Sequence, residues 1–526
     1  MKNVILRIEY LLAFLFCMTA CFEDDSTPGT NAVGNIEIEG LHDTSIISYS
    51  GHMLDVSPRV NAGYPEEQLS YAWYMYNQED VNSVSGKGLA NGYRENKIAE
   101  GKDLSYEVNL PSGVYTFIFE VMSKDNSYTQ TASLKLTVST AFSRGFYILK
   151  ETAFGGSEVD LYTQDGLNSN LMEKLTGAEL EGKPVNLSFA FNQAYIDEEE
   201  QEMASTKMLN VFTEKDYRAF RTEDMRETFN RTNLLFEEMD VDERAYTMIN
   251  GFFTMFYLSS KGLYSGTPGD MSPNSGRFGL PMSDGASKFF QSLGGGMAGY
   301  AYWNEKVHRV YITDYNCVSA NSMDYEMLSG VNEADLECIA SGLNYVGGSE
   351  TVWFLAKDKL TSSRYLYLLE GGMGEVTDIR RLDAGLHVAQ ADVVVGNALS
   401  AMVIYSVHEN RLYAYNWMAN SEYEVPLPGV SNHETIGYVS NQYLHVGIFG
   451  DRSDNYDYLL VGTQEGEGYK LYFYDNLVGG SPKQEAIIVA EGTGKVKSVR
   501  YVPTISLGSF DMMPMFDSAP VFPFGE

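Results

Sequence analysis

Residues 401–415 read AMVIYSVHENRLYAY. An apolar, β-branched run (401–407) meets a polar turn at His408-Glu409-Asn410. A basic residue, Arg411, then opens an aromatic run (411–415). Two strand-forming runs around a short polar turn predict a β-hairpin. The same pattern occurs three more times: 298–303 into 309–312, 351–356 into 364–367, and 458–462 into 470–475. Three weaker copies end at 159–162, 217–220 and 262–264. One matching position per copy (Tyr162, Ala219, Tyr264, Tyr311, Leu366, Tyr413, Tyr472) gives steps of 57, 45, 47, 55, 47 and 59 residues. A hairpin recurring at such a period predicts propeller blades, because each small sheet can bury its faces only against its neighbours. Residues 140–526 are therefore assigned to a β-propeller of seven blades, with six or eight as the neighbouring counts. The competing reading is one large mixed β domain whose hairpins merely look alike.

Upstream, 36–139 is also all-β but does not share the repeat. Strand-like runs fall at 69–76 (LSYAWYMY), 104–110, 114–121 (VYTFIFEV) and 132–138 (ASLKLTV). A Pro-Ser-Gly turn at 111–113 and a polar turn at Lys124-Asp125-Asn126 separate them. Short strands with regular turns predict a β-sandwich. The Tyr71-Ala72-Trp73 strand, the run from Pro111 to Tyr115 and the final LKLTV edge resemble PKD-like immunoglobulin-type domains, named for the polycystic kidney disease protein. That resemblance implies a core position for Trp73 between two sheets. The Trp-Gly-Asp-Gly style turn of many such domains is missing here.

The first 25 residues address the chain. Lys2 and Arg7 precede a short apolar run (YLLAFLF, 10–16), then Met18-Thr19-Ala20-Cys21 and an acidic Phe22-Glu23-Asp24-Asp25. The run is too short to span a bilayer, which takes about 20 apolar residues, and reads as an export signal. Small residues before Cys21 resemble a bacterial lipobox, with Met18 in place of the usual Leu. The resemblance implies removal of 1–20, acylation of Cys21 and a stable membrane anchor, since two acyl chains hold where one does not. An ordinary secretory signal with a chance Cys is the alternative. Residues 21–35, small and acidic, form a flexible tether. The acids after Cys21 resemble the surface-export signal of Bacteroidota lipoproteins and imply the extracellular face of the outer membrane. A solvated linker explains the same residues.

The formal charge is −34, and 13% of residues are aromatic, with 37 Tyr. Without Lys2, Arg7 and Glu9 the balance is 35 basic against 70 acidic residues. Such a chain repels nucleic-acid phosphates and is not a basic membrane-surface binder. Beyond Cys17 and Cys21 only Cys317 and Cys338 remain. An exported location permits a disulfide between them, and two separately buried thiols are equally compatible.

Catalytic motifs are missing from the sequence. There is no His-Glu-x-x-His, no Gly-x-Ser-x-Gly and no nucleotide fingerprint. Gly294-Gly295-Gly296 and Gly347-Gly348 precede strong hairpins and lack the Lys-Ser/Thr of a phosphate loop. No cofactor is expected. Asp451, Ser453, Asn455 and Asp457 put oxygens at alternate positions, as calcium loops do, without the Gly and distal Glu of an EF-hand. An exposed inter-blade loop explains them as well. Trp303, Trp353 and Trp417 lie in the repeat hairpins, either as a binding platform or, preferably, as blade packing.

The layout as a whole resembles the PKD-like family lipoproteins of Bacteroidota. That resemblance implies an auxiliary component of a Sus-type nutrient importer, in which a TonB-dependent barrel is capped by a SusD-like lipoprotein. The implied role is non-enzymatic: binding a peptide or oligosaccharide, docking on the transporter, or both. The alternative is a surface hydrolase, glycosidase or lyase, with two carboxylates in the propeller funnel.

Overall fold

The hairpin at 401–415 forms as its pattern requires. Ile404–His408 pairs antiparallel with Arg411–Asn416, His408 opposite Arg411. Glu409 and Asn410 turn the chain with φ of 47° and 62°. Two central residues at positive φ define the type I′ turn, whose twist matches that of the strands it joins. Val393–Gly396 and Ser421–Glu424 flank the pair, completing a four-stranded antiparallel sheet.

A computed structural model gives the architecture. It describes residues 36–502 except 48–51, 64, 78–91, 111–112, 125–127, 164, 199–200, 251–253, 270–273, 294–298, 315, 347–348, 372–374, 397–400, 445–455 and 476. Seven four-stranded antiparallel sheets follow one another along the chain, so the fold is a seven-bladed propeller. The third strands of blades 1 to 7 are Ser157–Thr163, Tyr217–Arg221, Gly262–Gly266, Arg309–Thr313, Arg364–Glu370, Arg411–Asn416 and Gly468–Tyr474. Each holds one of the seven repeat positions, from Tyr162 to Tyr472.

The innermost strands, in the same order, are Lys495–Val502, Pro184–Asp197, Ala245–Asn250, Phe290–Leu293, Leu336–Val346, Val393–Gly396 and Thr435–Leu444. Blade 1 is composite. Its inner strand is the last one described, paired with Gly145–Glu151. The two ends of the propeller thus lie in one sheet, and closure needs no separate latch. Gly494 makes the bend into this strand at φ +99°, where a Cβ would stand 2.7 Å from the carbonyl of Glu151. A side chain there is excluded both by the backbone conformation and by the space.

Middle strands are largely buried because each blade is sandwiched between two others, most fully at Gly299–Asn304 and Met255–Ser259. In Arg364–Glu370 every residue but the last is buried. That is why these strands read as nearly continuous apolar runs rather than alternating ones. Side chains also stitch blade to blade. Ser498 Oγ donates to Asn186 Oδ1 (3.0 Å), and Asn186 Nδ2 donates to Thr247 Oγ1 (3.0 Å), linking blades 1, 2 and 3. Gln291 Nε2 reaches Ser341 Oγ (2.9 Å), Asn344 Nδ2 reaches the Ala401 carbonyl (3.1 Å), and Gln442 Nε2 reaches the Val499 carbonyl (2.9 Å).

Residues 36–139 form a separate β unit. A five-stranded sheet runs Thr44–Ile47, Thr129–Ser139, Gly113–Ser123, Leu69–Asn77, Lys97–Glu100. Two strand pairs, Ile36–Glu39 with Arg59–Ala62 and Met53–Val56 with Leu104–Glu107, cover it. Trp73 lies fully buried between the layers, against Phe119 with ring centroids 4.7 Å apart. Five residues lead from Ser139 to the first propeller strand, and Thr140 Oγ1 donates to the Glu223 carbonyl of blade 2 (2.7 Å).

Candidate functional site

The seven inner strands surround a central channel of about 540 Å³, within the usual size range of a small-ligand site. Every blade contributes to its wall. Much of the wall is polar: Asn186, Ser188, Thr247, Asn250, Gln291, Ser341 and Asn441. Most of these amides and hydroxyls are engaged in the inter-blade links above, so they fix the channel's shape. Asn250 Oδ1 is buried without a hydrogen-bond partner.

The ionisable residues of the wall are distributed unlike those of the whole chain. Lys288, Lys497 and Arg500 line it, with Asp392 as the one carboxylate among the described lining residues. Lys288 comes just before the inner strand of blade 4, Asp392 just before that of blade 6, and Lys497 near the start of that of blade 1. Inner strands of a propeller run the same way along the channel, so these three share one end. Arg500 is anchored, its Nε donating to the Leu187 carbonyl (3.0 Å).

Lys288 is open to the channel's water yet walled by protein. Its Nζ lies 5.4 Å from the centroid of the Phe289 ring. Burial holds its ammonium below the usual lysine range, and Lys497 adds repulsion, against partial compensation from Cys338 and Glu305. Neither nearby carboxylate forms an ion pair with Lys288 among the described residues. Glu305 accepts from Tyr246 Oη (3.0 Å), and Asp392 acts on the buried guanidinium of Arg364.

A second polar cluster lies at the start of blade 7. Glu434, 2% exposed, accepts from Thr463 Oγ1, from Tyr472 Oη (3.0 Å) and from Lys470 Nζ (3.2 Å). Burial pushes its carboxyl up, but the two hydroxyls and the ammonium outweigh burial and the net shift is downward. A depressed carboxylate stabilises the fold above its unfolded pKa, and that contribution is lost as pH falls through the folded one. Glu434→Gln should therefore lower the melting temperature at pH 7. The gap from the parent chain should narrow as pH drops below about 4.5, read by circular dichroism melts. A gap independent of pH would refute the ionic role.

The sequence-based candidates fall elsewhere. Trp303, Trp353 and Trp417 are 1%, 0% and 3% exposed. Trp303 packs in the core of blades 4 and 5, Trp353 and Trp417 in that of blades 5 and 6, and Trp353 Nε1 donates to Asn344 Oδ1 (3.0 Å). They hold blades together and offer no platform to a ligand. Cys317 and Cys338 are free thiols. Cys317 follows the third strand of blade 4 in a core shared with blade 3, while Cys338 is on the inner strand of blade 5, so each is held in a different core. The disulfide alternative is not formed. Cys21, both glycine clusters and Asp451, Ser453 and Asn455 lie outside the described residues, as does the Asp457 side chain. Among the described residues no group of three or more His, Cys, Asp or Glu is placed to hold a metal ion, and no helix is long and apolar enough to cross a membrane.

Lys288 and Lys497 escaped the sequence reading because inner strands are the least regular part of each repeat. The signal, in hindsight, is a basic residue at the start of an inner strand in a chain where acids outnumber bases.

Residues 21–184 match the model of the PKD-like family. The match covers the tether and the β-sandwich and runs on through the three strands of blade 1 that follow it in sequence. No curated protein matches the sequence. Among solved structures, a quinonprotein alcohol dehydrogenase-like protein from Bacteroides thetaiotaomicron is similar at 12% identity and a TM-score of 0.36, covering 88% of this chain and 97% of that one. Dihydro-heme d1 dehydrogenase NirN is similar at 10% identity and 0.34, covering 73% of each chain. Hydrazine synthase of Kuenenia stuttgartiensis is similar at 6% and 0.34, covering 55% and 76%. At these scores no activity transfers to this chain.

Proposed function

We propose that this chain is a lipoprotein anchored through Cys21 on the outer face of the outer membrane. There it serves as a non-enzymatic auxiliary subunit of a Sus-type nutrient importer. The tether and β-sandwich hold the propeller away from the bilayer, and the propeller binds a peptide or oligosaccharide in its channel for delivery to the barrel and its SusD-like lid. The observation that carries the binding half is the channel itself, a ligand-sized cavity with polar walls supplied by all seven blades. The anchoring half rests on the signal, the small residues before Cys21 and the acidic tether.

The test is a tagged pull-down of the full chain from detergent-solubilised outer membranes, read by mass spectrometry. Recovery of a TonB-dependent barrel and a SusD-like protein in fixed ratio is the expected result. Recovery of the chain alone would remove the importer role and direct attention to hydrolase assays.

A further inference from the structure

In a chain where acids outnumber bases 71 to 37, the described residues of the channel wall include three bases and one acid. The sign of the charge inverts where the protein closes around a cavity. Two of the three bases are also unpaired by other side chains. Neither Lys288 nor Lys497 makes a hydrogen bond or ion pair among the described residues, although the protein's surface offers carboxylates in excess. They stand close enough for Lys497 to bear on the ammonium of Lys288. Like charges held together in a partly desolvated site are unfavourable in the free protein and become favourable once an anion sits between them.

We propose that the channel mouth is a carboxylate-recognition site for an acidic peptide, with Lys288 and Lys497 as its two contact cations. This rests on the binding half of the proposed function and narrows it to one ligand class. The long-range field of a chain with a formal charge of −34 repels an anion. Recognition therefore acts at contact range, inside the roughly 8 Å over which physiological salt leaves charges unscreened. Peptide is favoured over sugar by the aromatic residues. Sugar recognition would use an exposed aromatic platform. Trp303, Trp353 and Trp417 are committed to blade packing, and the channel's own aromatic residues, Phe189, Phe289, Phe290, Tyr300 and Tyr438, are buried or half-buried in blade cores. Of the nearby carboxylates, Glu305 offsets part of the charge on Lys288 and Asp392 acts on Arg364, and neither forms an ion pair with either lysine among the described residues.

The test is titration of the full lipidated chain in detergent micelles with hexaglutamate, a neutral Gly-Ser hexapeptide and an oligogalacturonate. Hexaglutamate should bind, the neutral peptide should not, and the acidic sugar should bind more weakly. Lys288→Gln and Lys497→Gln should each weaken hexaglutamate about tenfold, the loss expected for one charge-assisted hydrogen bond. Lys261→Gln, which breaks an exposed ion pair with Asp240 on blade 3, should leave binding unchanged. Circular dichroism melts check that the variants fold. No binding of hexaglutamate, or equal binding by the parent and the Lys288→Gln/Lys497→Gln double variant, overturns the proposal. Preference for oligogalacturonate overturns the peptide assignment. Repeating the pull-down with the double variant separates the two ideas. A parent chain that recovers the barrel but ignores hexaglutamate defeats this inference alone. One that binds hexaglutamate but recovers no barrel defeats the importer role alone.

Discussion

A chain ending at Gly494 should yield no folded propeller, whereas one ending at Val502 should melt cooperatively. The eight residues between them are the inner strand of blade 1. Removing them strips Gly145–Glu151 of its ladder partner. It also withdraws Val496, Val499, Tyr501 and Val502, all buried, from the cores around blades 1 and 7. At roughly 1.5–3 kcal/mol per buried side chain this is on the order of 6–12 kcal/mol, against a total stability of about 5–15 kcal/mol for a typical domain. The loss extends beyond blade 1. Ser498 Oγ also accepts from the Leu187 amide of blade 2 (3.1 Å), and the Val499 amide donates to Tyr438 Oη of blade 7 (3.2 Å). An opened ring exposes two blade faces that were buried against each other, and such faces aggregate. Size-exclusion chromatography and near-ultraviolet circular dichroism on the two chains make the comparison. A monomer ending at Gly494 with an unchanged melting temperature would show that closure does not depend on this strand.

The sequence disclosed the propeller through its second and third strands, because those pack against a neighbouring blade on either side and are largely apolar and β-forming. Tyr472, buried, and Tyr413, half-buried, mark the repeat for that reason. Inner strands obey a different constraint. They border a wet channel, tolerate Asn, Ser, Lys and Gly, and vary in length from the four residues of Phe290–Leu293 to the fourteen of Pro184–Asp197. A site built from one or two residues of each such strand leaves no spacing motif, and neither Lys288 nor Lys497 stands near another charged channel residue in sequence except Arg500. The tryptophans misled in the opposite direction. A large aromatic in a hairpin reads equally well as platform or as packing, and only the neighbouring blade decides. Composite closure was also illegible, since a strand that completes a sheet begun some 350 residues earlier looks like any other. The sandwich was easier, because its strands alternate or are bracketed by turns, and Trp73 lies in its core.

Asp160→Ala should destabilise the propeller by about 3–5 kcal/mol, the usual consequence of stranding one member of a buried ion pair. Lys150 and Asp160 sit on adjacent strands of blade 1, 1% and 0% exposed, with Nζ and Oδ1 2.7 Å apart. Lys150 Nζ lacks an aligned hydrogen bond, so the contact is ionic and loses its whole counter-charge when the carboxylate goes. Asp160 does more than neutralise the lysine. It accepts the Asn170 amide (2.9 Å) and, from blade 7, Tyr469 Oη (2.8 Å). Burial and the facing carboxylate push the Tyr469 phenol far above its usual range, which keeps it a donor at any pH where the protein is folded. Lys150→Met should cost less than Asp160→Ala, because the carboxylate left behind retains two donors. The informative variant is Lys150→Met/Asp160→Asn. It removes both charges while leaving an amide oxygen for the Asn170 amide and an NH2 that can donate to the Tyr469 hydroxyl, and should recover most of the loss, since a buried pair replaced by a neutral, hydrogen-bonded equivalent is often close to neutral in stability. Urea unfolding of the parent, Lys150→Met, Asp160→Asn and the double variant in a double-mutant cycle reads the coupling directly. Its value should change little between low and high salt, because burial shields the pair from counterions. A double variant whose loss is the plain sum of the singles would mean that the pair contributes packing rather than charge.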